Sequence, residues 1–153
     1  MKQNRLYAQF LAMGLLGFSF IGAAQADDHP APTAPQDVLA ACQKSDDASQ
    51  VFRIVGDLGV FTQLRIGLVS EVASVERESG AAILPQQVLF TKSAPFTYSV
   101  FNNVNVDGST KDAEPTFSGG SMGGNLMSIA VSTSDGVYDT YNCTLNPKLL
   151  DLP

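Results

Sequence analysis

The residue pattern closest to a known ligand site is a run of oxygen-bearing side chains between residues 103 and 114. Asn103, Asn105 and Asp107 alternate with other residues, Gly108 follows, and Glu114 comes after five more. A twelve-residue calcium loop has this spacing, because alternate oxygens, a glycine at the sharp turn and a closing carboxylate together surround the ion. We therefore treat Asn103, Asn105, Asp107 and Glu114 as a predicted calcium site.

The same stretch also fits a simple hairpin turn at Asp107-Gly108 with polar flanks. Asn103 stands where a calcium loop has Asp, and Lys111 adds a positive charge inside the loop. The flanking residues alternate as strands do, whereas an EF-hand has helices on both sides. The turn is the favoured interpretation, and the calcium site predicts a higher melting temperature in calcium than in chelator.

A second predicted metal site lies at residues 27–29. If the chain is cleaved after Ala26, it begins Asp27-Asp28-His29, and His29 is its only histidine. A free amine, two backbone amides and an imidazole at the third residue supply four nitrogens in a plane, which suits Cu(II) or Ni(II). The alternative is that His29 is an ordinary residue of a solvated leader.

Patterns typical of hydrolases are present but incomplete. Residues 119–123 fit the Gly-x-Ser-x-Gly motif of a serine nucleophile, yet no histidine remains after residue 29 to act as its base. Residues 118–125 are glycine-rich and are predicted to form a flexible loop. Glu76 and Glu78 would share one face of a strand, but paired acid and base groups need a cleft that separates their pKa values. We predict no enzyme, with a small carboxylate-dependent hydrolase as the more distant alternative.

The N-terminus has the three parts of a secretory signal peptide. Lys2 and Arg5 precede an apolar run over residues 10–24, and Ala24-Gln25-Ala26 fits a signal peptidase site. We predict a bacterial signal peptide over 1–26, a disordered proline-rich leader over 27–35 and a single β-rich domain over 36–153. The predicted location is the periplasm or the cell exterior, with no membrane span once the signal is removed.

Charge and cysteine count narrow the classes of partner. Residues 27–153 keep all 15 acidic residues and lose Lys2 and Arg5, which leaves a formal charge near −8. Such a chain has no basic stripe for nucleic acid and is repelled by an anionic membrane surface. Cys42 and Cys143 form an even pair in an oxidising compartment, so they predict one disulfide that joins the start of the domain to its end.

Hydrophobic periodicity predicts a mainly β fold. Residues 35–44 have apolar positions at helical spacing and are predicted to form one short N-terminal helix. From residue 51 onward the period becomes two, with predicted strands at 51–55, 60–70, 81–91, 96–106, 125–133 and 137–145 and a hairpin turn at Asp135-Gly136. The expected fold is an antiparallel β-sandwich or small barrel of about seven or eight strands, closed by the disulfide.

These features favour a non-enzymatic binding or protein-interaction module, which includes the case of an inhibitor that presents a loop on a rigid scaffold. Its partner would be a protein or another component of the cell envelope, and the candidate loops are 107–115 and 118–125. The alternative is a metal-binding protein that uses residues 27–29 or the 103–114 loop.

Overall fold

The structure, a computed structural model, describes residues 36–63 and 67–151 and shows one closed antiparallel β-barrel. Each strand pairs with the next along the chain, and the last strand pairs with the first. The eight strands are β1 (Asp37–Lys44), β2 (Val51–Gly56), β3 (Val69–Ser79), β4 (Gln87–Ala94), β5 (Thr97–Phe101), β6 (Thr116–Gly123), β7 (Leu126–Ser132) and β8 (Tyr138–Leu145). The predicted fold class is confirmed in its barrel form.

The described strands carry two short helical segments, both at the same end of the barrel. Helix α1 (Leu58–Thr62) connects β2 to β3, and a 3₁₀ helix (Pro147–Leu149) follows β8. The Asp57 side chain caps α1 by accepting a hydrogen bond from the Gly59 N–H. The helix buries its residues Leu58 and Phe61. We call this end of the barrel the helix end. We call the opposite end the loop end; it contains the connections 45–50, 80–86, 102–115 and 133–137.

The predicted helix at 35–44 is wrong, because these residues form β1. The register shifts between Val38 and Ala40, where a β-bulge places both Leu39 and Ala40 in the core. Cys42 then continues the ordinary alternation. The bulge breaks the period of two, and the resulting apolar spacing resembles that of a helix.

Two other sequence predictions need correction. The strand expected over 60–70 begins only at Val69, since α1 occupies part of that range. The loop expected over 118–125 is mostly β6, which pairs with β5 and β7. Its glycines reflect close packing of strands rather than a flexible connection, as the surroundings of Gly119 show.

The barrel interior is filled by inward-facing side chains. Aromatic residues form two contacting groups with ring centroids 5.0 to 5.7 Å apart: Phe52 with Phe117 and Tyr141, and Phe90 with Phe61 and Tyr98. Three of these four ring pairs are edge-on, and such contacts add to the free energy of burying the rings. With the interior packed, the surfaces that the described residues offer to a partner are the outer faces and the two ends.

Candidate binding surface

The first and last strands are joined by the predicted disulfide. Cys42 and Cys143 lie directly opposite each other in the β1–β8 pair, with an S–S distance of 2.05 Å. Both are buried in the core. Lys44 and Asp139 form an ion pair of 3.0 Å across the same two strands. The Cys42–Cys143 disulfide therefore links β1 and β8, the pair of strands that closes the barrel.

Two inward-facing polar side chains fasten the short helices over the helix end. Lys92 Nζ donates to the Phe61 carbonyl at 2.9 Å, near the negative end of α1. The Tyr98 hydroxyl donates to the Leu149 carbonyl of the 3₁₀ helix at 2.6 Å, and burial raises the pKa of this phenol. This end is thus a packed closure, held by hydrogen bonds from the barrel wall.

The long connection 102–115 at the loop end is clamped at its base by Asn102. This side chain is 3% exposed; its Nδ2 donates to the Pro115 carbonyl and its Oδ1 accepts from the Phe117 N–H at 2.7 Å. The Asn102 N–H also donates to the Phe117 carbonyl. A single buried amide therefore joins the two ends of the connection and continues the strand ladder across the gap.

Above the clamp the connection folds into a hairpin. The Lys111 N–H donates to the Asn103 carbonyl, and Val104 bridges to Thr110. Gly108 has φ +82°, which the turn requires and which glycine adopts without strain. The turn predicted at Asp107-Gly108 is confirmed.

The tip of this hairpin is ordered by its own side chains. Asp107 Oδ1 accepts from both the N–H and the hydroxyl of Ser109, at 2.9 and 2.6 Å, and these bonds lower the pKa of Asp107. Asn105 Nδ2 donates to the same hydroxyl at 2.9 Å. Val106 projects from this tip and is 60% exposed. The arrangement presents one apolar side chain on a locally rigid turn.

A shallow groove of about 90 Å³ lies between the hairpin and the outer face of the barrel. Its walls are mainly apolar, with an amine and two amides at the rim: Val72, Gln87, Val88, Leu89, Val104, Asn105, Val106 and Lys111. Leu89 points outward from β4 yet is nearly buried, because the groove residues surround it. The hairpin and the groove together form what we call the hairpin surface.

The predicted calcium residues all lie on or beside this hairpin, but their side chains serve different partners. Asp107 and Asn105 are engaged with Ser109, whereas Asn103 Oδ1 is buried without a hydrogen-bond partner and Glu114 is exposed. Among residues 36–63 and 67–151 no group of three or more His, Cys, Asp or Glu side chains is placed to hold a metal ion. Calcium binding remains a prediction.

Asp27, Asp28 and His29, together with the predicted signal peptide and leader, lie outside the described residues. Copper or nickel binding there also remains a prediction. Within the described part of the chain, no helix is long and apolar enough to cross a membrane.

The hydrolase-like residues have ordinary structural partners. Ser121 lies inside β6, where its hydroxyl accepts from the Tyr98 N–H at 2.7 Å and donates to the Tyr98 carbonyl at 3.1 Å. Glu76 and Glu78 do share one face of β3, and both pair with Arg53 on β2, at 3.7 and 2.7 Å. These side chains hold neighbouring strands together.

Comparison of the chain with protein-family models, with curated proteins and with solved structures finds no match. The candidate surface therefore rests on its own geometry. Sequence reasoning identified the connection 107–115 but missed Asn102 and the groove. Asn102 directly follows an alternating strand, and only the long-range contact with Pro115 and Phe117 distinguishes it from any polar residue at a strand end.

Proposed function

We propose that the protein is an exported, non-enzymatic interaction module of the periplasm or cell exterior, and that the hairpin surface is its binding element. The observation that carries this proposal is the Asn102 clamp, which fixes a long connection on a rigid barrel and leaves Val106 exposed at its tip. A loop that is ordered before binding loses less conformational entropy in the complex, which is how inhibitor loops gain affinity.

The partner's surface would be complementary in shape and charge. In the proposed complex, an apolar pocket on the partner receives Val106. The groove beside Val106 in turn accepts an apolar side chain of the partner near Lys111. The rest of the connection is acidic through Asp107, Asp112 and Glu114, so basic residues around the partner's pocket would speed association.

The proposal is tested by site-specific photo-crosslinking in cells that export the protein. A benzoylphenylalanine at position 106 should give one discrete crosslinked species, because this side chain lies at the centre of the contact. The matched control is the same reporter at Val137, which is on the loop end and 58% exposed but outside the hairpin surface. Equal labelling from both positions would contradict the proposal.

Competition makes the test specific for the surface. An excess of purified wild-type protein should suppress the species, and a Val106→Asp competitor should not. An Asn102→Ala competitor that keeps its barrel should compete roughly tenfold more weakly, because the hairpin must then be ordered on binding. Near-ultraviolet circular dichroism checks that the barrel is intact in each competitor.

A further inference from the structure

Two turns at the loop end have the same backbone hydrogen bonds and the same Asp-Gly dipeptide. They are residues 105–109, at the tip of the hairpin, and residues 133–137, between β7 and β8. In each turn the glycine N–H donates to the carbonyl of the turn's first residue, at 2.9 and 3.0 Å. Gly108 and Gly136 both have positive φ, +82° and +75°. We call these matched stretches the tip turn (105–109) and the β7–β8 turn (133–137).

The two turns differ in the residue that follows the glycine, which is Ser109 in one and Val137 in the other. Ser109 donates both its N–H and its hydroxyl to Asp107 Oδ1, at 2.9 and 2.6 Å. Val137 has no hydroxyl. Within the described residues the Asp135 side chain accepts one side-chain hydrogen bond, from the Ser134 hydroxyl at 3.2 Å. The carboxylate of the tip turn is therefore held more firmly than that of the β7–β8 turn.

An aspartate that precedes glycine can react with its own backbone, because glycine has no side chain to obstruct its nitrogen. At Asp135 the Gly136 nitrogen forms a bond to the Asp135 Cγ, and the carboxyl hydroxyl leaves with the amide proton as water. Water then opens the five-membered imide ring. It breaks either the new bond, which restores aspartate, or the original peptide bond, which leaves the chain running through the side chain as isoaspartate. Water is the only co-reactant, and nothing is oxidised or reduced.

The hydrogen bonds from Ser109 oppose this reaction in the tip turn. Ring closure requires the aspartate to rotate about its Cα–C bond, out of the turn conformation. In the tip turn the rotation must first break two hydrogen bonds to a charged group, whereas in the β7–β8 turn it breaks a single, longer one. The same bonds lower the pKa of Asp107 and so reduce the neutral carboxyl form that can lose its hydroxyl.

We propose that Asp135 is a site of spontaneous isoaspartate formation and that Ser109 protects the matching aspartate, Asp107, at the tip of the hairpin. Isoaspartate adds one methylene to the backbone. In the tip turn this would displace Val106 from its position in the hairpin surface, whereas in the β7–β8 turn the added atom lies outside that surface. The consequence for binding rests on the proposed function; the chemistry at Asp135 does not.

Isotope labelling tests the proposal in the folded protein. The protein is purified from exporting cells, incubated in oxygen-18 water at neutral pH, then reduced and digested with trypsin in ordinary water. Cleavage after Lys92, Lys111 and Lys148 places Asp107 and Asp135 in separate peptides. Each ring opening incorporates one oxygen-18 atom, and electron-transfer fragmentation distinguishes isoaspartate from aspartate.

Asp135 should incorporate roughly tenfold more label than Asp107, because two hydrogen bonds to a charged carboxylate protect the latter. Equal labelling of the two sites, or more at Asp107, would overturn the proposal. In urea with reductant, where the turns are lost, the two sites should label at similar rates. A native-like ratio in urea would show that local sequence sets the rates, and it would overturn the role of Ser109.

Exchanging the residue after each glycine gives a matched pair of variants. Ser109→Val should raise the labelling of Asp107 roughly fivefold, and Val137→Ser should lower that of Asp135. Near-ultraviolet circular dichroism checks that each barrel is intact. Unchanged labelling in both folded variants would contradict the protection by Ser109. Because labelling is measured without a partner, its outcome is independent of the crosslinking test of the hairpin surface.

Discussion

Individual residues in this barrel are constrained most tightly where two backbones approach each other. At Gly119, a Cβ atom would lie 2.3 Å from the Ser128 carbonyl oxygen and 2.8 Å from the Ile129 Cα. Neither neighbour can move without breaking the β6–β7 ladder. The glycine next to it, Gly120, would place its Cβ 3.4 Å from the Tyr98 carbonyl oxygen, which is close to an ordinary contact.

These two glycines give a matched pair of substitutions. Gly119→Ala should lower the free energy of unfolding by about 2–3 kcal/mol, because the added methyl overlaps backbone atoms. Gly120→Ala should change it by less than about 0.5 kcal/mol. Urea unfolding of the two variants measures the difference, and equal values would show that β6 and β7 are not packed as described.

At the scale of elements, the two short helices depend on the barrel wall for their position. A segment as short as α1 or the 3₁₀ helix is not stable alone, so tertiary contacts must hold it. The two helices contact each other. Lys92 donates a hydrogen bond to a backbone carbonyl of α1, and Tyr98 donates one to a backbone carbonyl of the 3₁₀ helix. The closure of this end should therefore respond to the loss of either hydrogen bond.

Tyr98 makes this closure dependent on pH. Burial raises the pKa of Tyr98, so the stabilisation from its neutral phenol is fully present below the unfolded value of about 10 and is lost as pH rises through the folded pKa. Tyr98→Phe should cost about 1 kcal/mol near neutral pH, where the Leu149 carbonyl loses its donor. This difference from wild type should shrink in alkaline solution.

The control is Tyr138→Phe, the same change at a tyrosine that is 73% exposed. Urea unfolding at neutral and alkaline pH should show no difference between this variant and wild type. A cost of Tyr98→Phe that is constant with pH would argue against a buried phenol bonded to the 3₁₀ helix.

For the whole molecule, closure of the barrel brings the two ends of the folded chain together. The β1–β8 pair and the Cys42–Cys143 bond join residues separated by 101 positions. By loop-closure entropy a crosslink of this span stabilises the native state by about 4–5 kcal/mol, chiefly through the unfolded chain. This contribution is a large fraction of the roughly 5–15 kcal/mol by which a typical domain is stable.

Reduction and mutation separate the crosslink from its packing. Cys42→Ala/Cys143→Ala should lower the free energy of unfolding by about 4 kcal/mol or more, because it removes both the bond and buried sulfur atoms. The wild-type protein in strong reductant keeps its buried sulfur atoms, so its free energy of unfolding should fall somewhat less than that of the double variant. Urea unfolding measures both, and a loss below about 1 kcal/mol in each would show that the pair of strands closes the barrel without help.

The distribution of charge is also a property of the whole molecule. Net charge alone led us to expect repulsion from an anionic membrane surface, and that expectation treats the charge as evenly spread. The fold instead gathers most of the acidic residues of its connections at the loop end, whereas the helix end has three described aspartates, Asp37, Asp57 and Asp151, and one lysine, Lys148.

The sequence alone determined the local features of this protein. Alternating apolar residues set which side chains of β5, β7 and β8 face the core, and aspartate-glycine pairs set the turns at Asp107 and Asp135, because these preferences act between neighbouring residues. The even pair of cysteines predicted the disulfide. Only the tertiary structure decided between sandwich and barrel, placed the bulge near Val38 and joined Asn102 to Pro115 and Phe117. Those outcomes depend on pairing between distant strands, whose free energy is shared among many contacts and leaves no signature at a single position.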